Sequence, residues 1–275
     1  MYNIKKLECA EMLNKYKRDF DQNGFISPVR IISKDDATKH RKILEKTESK
    51  LGNMHYQSKL HTILRSAYEL AICPKILDIV EKILGPNILL HNTTYIIKEV
   101  DSPAFVSWHQ DLTYWGFSHD DQVSVWLALS PADDVSGAMF MIPGSHLDGK
   151  REHITIKDKN NVLFQNQCVK DLDDSSKVLC PLQPGEASFH HGWTIHSSTP
   201  NKSPNRRIGF NIQYLAPHVK QLKNSSDTAI CVRGKDKYKH FGKDISAISD
   251  DLDSTAVAKQ RELQKKYYSI VASEN

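Results

Sequence analysis

The chain has 275 residues, with 37 Lys and Arg against 33 Asp and Glu and a formal net charge of +4. That length supports one substantial core with no Gly/Ser- or Pro-rich linker to divide it, so a single domain over residues 1–275 is expected. The basic excess is scattered, which argues against a nucleic-acid binder, and no apolar run approaches the roughly 20 residues of a membrane span or a signal-peptide core.

The first 85 residues read as mostly helical. Leu7 to Phe20 carries apolar residues at helical spacing, and Asn23-Gly24 punctuates before a short extended piece at Phe25-Ile26. Ser33 suits the N-cap of a helix running to about residue 49. A further helix is expected from Leu60 to Ala71, with His61 and Arg65 on one face. Pro74 fits the first turn of the next, which Gly85-Pro86 ends.

The pattern then changes. Ile88 to Val100 is rich in β-branched and aromatic residues and reads as a strand. In VSVWLAL, alternation sends Val123, Val125, Leu127 and Leu129 one way and Ser124, Trp126 and Ala128 the other. Further strands are expected at 137–142, closed by Pro143-Gly144, at 187–191 after the Pro184-Gly185 turn, and at Arg207–Leu215. Residues 148–180 look irregular and 216–250 loop-like. Thr255 to Ile270 reads as a closing helix, free to pack on its own chain or on a twin. Helices followed by many strands imply an α+β chain or a mainly β core with helical support, not a doubly wound parallel sheet.

The five cysteines, at 9, 73, 168, 180 and 231, are odd in number and lack a CxxC pair. They fit neither a structural zinc site nor a disulfide framework, and a cytoplasmic location is expected.

Thirteen histidines invite a search for metal ligands. His109-Gln110-Asp111 places an imidazole and a carboxylate two residues apart, pointing the same way on an extended segment. His196, far downstream, can complete a triangle. Two His and one carboxylate on one face of an octahedral ion leave three positions open, as in non-haem iron oxygenases. His190 and His191 compete for the third place. Spacing alone is weak evidence, since HxD triplets arise by chance and a capping His beside a turn Asp is the ordinary reading.

The surroundings sharpen it. WHQDLTYWGF, then VSVWLALSPADDVSGAMFMIPGSH, then FHHGWTIHSSTPNKSPNRRIGFNIQYL resembles the phytanoyl-CoA dioxygenase family of iron(II)- and 2-oxoglutarate-dependent oxygenases, over about residues 85–218. The resemblance implies a double-stranded β-helix (jelly-roll, cupin-like) core over about 86–218, with a C-terminal extension at 219–275. It also implies iron(II), 2-oxoglutarate and dioxygen as reactants, with His109, Asp111 and His196 as the iron ligands. Arg207, or Arg206 if the register slips by one, would hold the distal co-substrate carboxylate. Ser198, Gln110, Trp126 and either Asn92 or Thr94 match positions lining the co-substrate pocket. His146 falls near the pocket, and Tyr114, Trp115 and Phe117 are candidates to cover it or touch substrate. An Asp in the carboxylate position favours hydroxylation over halogenation.

The implied activity is hydroxylation of an unactivated C–H bond in a small, polar metabolite, with release of succinate and carbon dioxide. Lys98, Lys150, Arg151 and Arg233 are candidate contacts to an anionic substrate. Desaturation, epoxidation or cleavage would share the same reactants, and a metal-binding cupin-like protein without 2-oxoglutarate is the reading from another class. A monomer or homodimer acting on a small molecule, away from membranes, is expected.

Overall fold

The computed structural model describes residues 2–247 and 251–272, and helices precede strands in it as the pattern implies. Helix α1 (Tyr2–Asn23) leads into β1 (Phe25–Arg30), then α2 (Lys34–Leu51), α3 (Arg65–Ala71) and α4 (Pro74–Leu84). Ser33 caps α2 as expected: its hydroxyl accepts from the Asp36 N–H at 3.0 Å. Pro74 occupies the first turn of α4, and Gly85 ends that helix with φ at +91°, a value glycine reaches without strain.

One expected helix is shorter than its pattern. Residues Leu60–Thr62 form a 3-10 turn, Leu64 is extended, and α3 starts only at Arg65. The break is held by His61, whose N–H bonds the Thr93 hydroxyl at 2.9 Å and whose Nε2 lies 3.2 Å from Asp244. His61 is therefore buried while Arg65 faces outward and pairs with Glu69 at 2.8 Å, so the two share no face.

The strands follow: β2 (Ile88–Lys98), β3 (Val106–His109), the single-turn helix α5 (Leu112–Trp115), β4 (Gln122–Ala128) and β5 (Met139–Met141). The 148–180 excursion contains the short strands β6 (His153–Thr155), β7 (Gln167–Val169) and β8 (Val178–Cys180). Then come β9 (Glu186–His191), β10 (His196–Ser198), β11 (Arg207–Leu215), β12 (Thr228–Arg233), β13 (Gly242–Lys243) and α6 (Ser254–Ala272). The 216–250 stretch is thus not all loop, because β12 pairs with β2 and extends the sheet.

Seven strands form one sheet in the order β1-β9-β4-β11-β2-β12-β13, and four form a second in the order β3-β10-β5-β8. This is a mixed α+β fold whose β core resembles a double-stranded β-helix. Period-two alternation divides the large sheet. Val123, Val125 and Leu127 of β4 and Ile208, Phe210 and Ile212 of β11 join the main core with α2 to α4. Burying each such side chain contributes roughly 1.5–3 kcal/mol. The other face, carrying Ser124, Trp126, Arg207, Asn211 and Gln213, looks toward the small sheet.

A second buried cluster was not anticipated. Lys59 is 1% exposed and donates to the carbonyls of His91 (2.5 Å) and Thr228 (2.6 Å) and to Asp244 (3.1 Å). Beside it His91 meets Asp227 at 2.8 Å. These residues come from four distant segments, so no local pattern announces them. Helix α6 packs on its own chain. Gln260 donates to the Ser58 carbonyl at 2.6 Å and the Tyr268 hydroxyl to the Tyr56 carbonyl at 2.6 Å. Among the described residues no helix is long and apolar enough to cross a membrane.

Candidate active site

Two strand ends and a helix start bring the candidate ligands together. His109 closes β3, His196 opens β10, and the two are direct partners across the antiparallel ladder. Asp111 follows His109 by two residues at the start of α5. One potential ligand atom from each of the three lies within 4.8 Å of the other two, and both imidazoles are buried.

The hydrogen bonding decides which atoms face inward. His109 Nδ1 lies 2.9 Å from the Ser107 carbonyl and His196 Nδ1 lies 2.9 Å from the Thr194 carbonyl. A carbonyl only accepts, so both Nδ1 atoms carry the proton and both Nε2 lone pairs are free. Those nitrogens sit 3.4 Å and 3.8 Å from Asp111 Oδ1. Cis ligands of an octahedral ion at ~2.1 Å stand about 3 Å apart, so a small inward movement would complete the shell. The other carboxylate oxygen is tied back: Ser124 donates to Asp111 Oδ2 at 3.0 Å, and His190 Nε2 lies 3.4 Å from it. One oxygen is left for a metal.

Charge states agree. Burial alone would raise the Asp111 carboxyl, but the surrounding imidazoles hold it well below the usual carboxylate range. Burial, and then His109, push His196 well below the ordinary histidine value. An ionised carboxylate with a neutral imidazole is what a transition-metal cation requires.

The triad opens onto a cavity of about 310 Å³ between the two sheets. Arg207 projects into it from β11. It is 1% exposed, and its guanidinium stacks over the Trp126 ring at 5.1 Å. Its Nε and Nη2 donors have no partner among the described residues, and burial lowers its pKa to about 10. Two unpaired donors on a buried cation call for a carboxylate. Gly209 makes room for this stack: a Cβ there would lie 1.9 Å from the Trp126 ring. Strand parity resolves the choice of arginine, since Arg206 faces the other way and pairs with Glu48 and Glu99, each at 2.8 Å.

Trp126, Ser198, Asn92 and Thr94 all line the cavity, as do Tyr114 and Trp115. Asn92 Oδ1 is already occupied by the Lys59 N–H at 2.8 Å, whereas the Thr94 hydroxyl has no partner. Ser198 Oγ accepts from Lys98 at 2.8 Å. Lys98 itself is buried and brought down to about 6 by that burial and by Arg207.

Three expected residues lie elsewhere. Gln110 is turned away from the cavity, with its amide donating to the carbonyls of Gly149 (2.7 Å) and Trp193 (2.8 Å) and accepting from the Arg151 N–H. It is the middle residue of HxD, so alternation sends it to the opposite side. His146 packs on His191 and contacts the Asp21 carbonyl, behind β9. Phe117 stacks on His91 and Phe241 and borders a shallow outer depression, which Lys150 also lines. Arg151 sits 3.5 Å from Asp148 and Arg233 pairs with Asp78 and Glu81, so none of the expected basic contacts reaches the cavity. His190 lines it beside Asp111, while its neighbour His191 points toward Phe20.

Other wall residues were missed. Asn211 and Gln213 continue the Arg207 face of β11 and were within reach of the alternation rule. Tyr56, Tyr267, Tyr268 and Val271 come from a loop and from α6, and the linear sequence carries no signal for them.

Comparison with known proteins agrees with this geometry. The family model described as Phytanoyl-CoA dioxygenase (PhyH) matches residues 7–209. The chain is 32% identical over 144 residues to a "Probable alpha-ketoglutarate-dependent hypophosphite dioxygenase" of Stutzerimonas stutzeri, covering 52% of this chain and 50% of that protein. It is 24% identical over 233 residues to the peroxisomal phytanoyl-CoA dioxygenase of Rattus norvegicus, covering 75% and 69%. Its match to the bacterial relative thus spans about half of that protein. Among solved structures it is similar to the non-heme monooxygenase ThoJ, with a TM-score of 0.79 and 26% identity over 92% of this chain and 99% of that one.

One expectation is overturned here. The related phytanoyl-CoA dioxygenases of rat, cow, human and mouse are peroxisomal, so the cytoplasmic assignment does not stand. Unpaired cysteines do not discriminate among the compartments of a cell.

Proposed function

The chain belongs to the phytanoyl-CoA dioxygenase family, and from that premise we propose that it is an iron(II)- and 2-oxoglutarate-dependent dioxygenase. It hydroxylates an unactivated C–H bond of a small molecule, releasing succinate and carbon dioxide. The observation that carries this reading is Arg207, a buried cation with unpaired donors in the same cavity as the triad. A metal-binding protein that did not take a dicarboxylate would gain nothing from desolvating it.

The roles follow from position. His109, Asp111 and His196 would hold iron(II), which with 2-oxoglutarate and dioxygen would supply the oxidising power. Ser124 and His190 engage the second Asp111 oxygen, so that one carboxylate oxygen would be offered to the metal. Arg207 grips the distal carboxylate against Trp126, with Thr94 and Ser198 contributing hydroxyls. The aromatic side chains of Tyr114, Trp115 and Tyr267 exclude bulk water from the reacting carbon. A single domain with a double-stranded β-helix core accounts for a triad on the small sheet and α5 facing an arginine on the large sheet.

Anaerobic absorption spectra test the reading. Apoprotein given ferrous iron and then 2-oxoglutarate should show a weak visible charge-transfer band that needs both. His196→Ala should abolish it and Arg207→Ala should weaken it. Iron binding without any co-substrate affinity would leave a cupin-like metalloprotein as the better account.

A further inference from the structure

The cavity has two ends, and only one is needed for the co-substrate. Arg207 and Gln213 lie six residues apart on the same face of β11, so their Cα atoms are separated by about 20 Å at ~3.3 Å per residue. Gln213 is level with Ser124, its ladder partner, whose hydroxyl holds Asp111. It therefore stands beside the metal, past the co-substrate that Arg207 grips. Its side chain is 4% exposed, and its carbonyl oxygen Oε1 has no hydrogen-bond partner among the described residues. The Tyr114 hydroxyl, also in this wall, is buried and unpartnered as well. Burial raises the Tyr267 phenol, next to the Gln213 and Asn92 amides, so it stays protonated and neutral.

Beside these groups stand the Asn92 amide and Ser58, and the remaining wall is apolar or aromatic. Trp115, Leu163, Tyr268 and Val271 close it. Among the described residues that line the cavity, Arg207 is the sole lysine or arginine, and it lies at the far end. A volume of about 310 Å³ is at the small end of the roughly 300–1,000 Å³ typical of ligand pockets, and the co-substrate shares it. An anionic group here would meet no cationic side chain and lose its hydration, which costs several kcal/mol. A purely hydrocarbon ligand would leave the Gln213 carbonyl desolvated and unpaired.

We propose that the space between the metal triad and α6 receives a neutral, largely hydrocarbon molecule bearing one hydroxyl group, which donates to Gln213 Oε1. This rests on the oxygenase reading for the position of the co-substrate. It replaces the small, polar metabolite expected from the sequence with a neutral, largely hydrocarbon one.

Four probes on one ring test it: cyclohexanol, methylcyclohexane, cyclohexanecarboxylate and cyclohexyl phosphate. Each is titrated anaerobically into the iron and 2-oxoglutarate complex while the visible band is followed. In parallel, quenching of tryptophan fluorescence in the metal-free protein reports binding near Trp115 and Trp126. Cyclohexanol should bind best by both readouts. The near-isosteric Gln213→Met, checked for folding by its thermal transition, should weaken cyclohexanol about tenfold and leave methylcyclohexane unchanged or tighter. Tyr114→Phe provides a second variant at the same end, with a smaller loss for the alcohol alone. Tighter binding of the carboxylate or phosphate would overturn the proposal. So would an alcohol affinity indifferent to Gln213, or no alcohol binding up to its solubility limit. Failure of the band to form, with fluorescence binding intact, would instead remove the oxygenase reading and leave the chamber's preference standing.

Discussion

The Arg207 end and the α6 end of the cavity are built by different means. Around Arg207 the walls are paired strands, and ladder register fixes which side chains face inward. Around Tyr267 the roof is one helix and two loops, held by side-chain bonds such as Tyr268 to the Tyr56 carbonyl and Gln165 to the Ala272 carbonyl. A ladder cannot shift by one residue without reversing every side chain. A roof tied by a few hydrogen bonds can change shape at modest cost. The fold thus fixes Arg207 and Gln213 alike on one paired strand and leaves only the cover over the α6 end adjustable.

That contrast can be broken most forcefully at Arg207. Arg207→Ala should weaken 2-oxoglutarate binding by about 2–5 kcal/mol, the usual consequence of truncating one partner of a buried charged pair. Metal affinity should stay the same, and isothermal titration reads both. Arg207→Lys should recover only part, because it restores charge without the fork. Loss of metal binding in either variant would mean that the two ends are not separable.

Ser124→Ala should come next. Releasing Asp111 Oδ2 should lower affinity for cobalt(II) or nickel(II) by roughly 10–100-fold. The cobalt spectrum should also change as the carboxylate becomes free to bind through both oxygens. An unaltered spectrum would show that the tether does not set the coordination mode.

Acid should loosen the roof end. Burial opposes ionisation of Asp227, yet His91, Lys59 and Gln221 bring its carboxyl down to about 2. A carboxylate with a depressed folded-state pKa stabilises the protein above its ordinary pKa. That contribution, about 2 kcal/mol, is lost as pH falls from about 4 toward 2. Thermal unfolding between pH 5 and 2 should show the loss, and Asp227→Asn should flatten it. The smallest effect is expected from Tyr268→Phe, which removes one hydrogen bond worth about 1 kcal/mol. It should leave co-substrate binding untouched while loosening hydroxylated ligands severalfold in the fluorescence titration.

The same division governs what the sequence discloses. Ser124 and Trp126 share a face as expected, because a period of two needs no knowledge of the partner strand, whereas Arg207 was indicated by the family resemblance and not by alternation. His109, Asp111 and His196 form one group in space because β3 and β10 are paired, a contact that short motifs imply through the family resemblance and not through spacing. Gln110 shows the limit of a motif match: it sits between two ligands, yet the pleat turns it to the Gly149 and Trp193 carbonyls. The break before α3, the Lys59–Asp244 contact and the α6 roof were invisible for one reason. Each is decided by residues more than 180 positions apart meeting in the fold, as Lys59 meets Asp244 and Ser58 meets Gln260.

Helix α6 is the last described element of the chain, and it closes over strands that are translated well before it. Synthesis runs from the N-terminus, so the three metal ligands leave the ribosome ahead of their cover. A nascent chain that captured iron at that stage would hold an oxygen-reactive centre open to water. The order of these elements along the chain therefore sets a maturation order, in which safe metallation follows the synthesis and docking of α6.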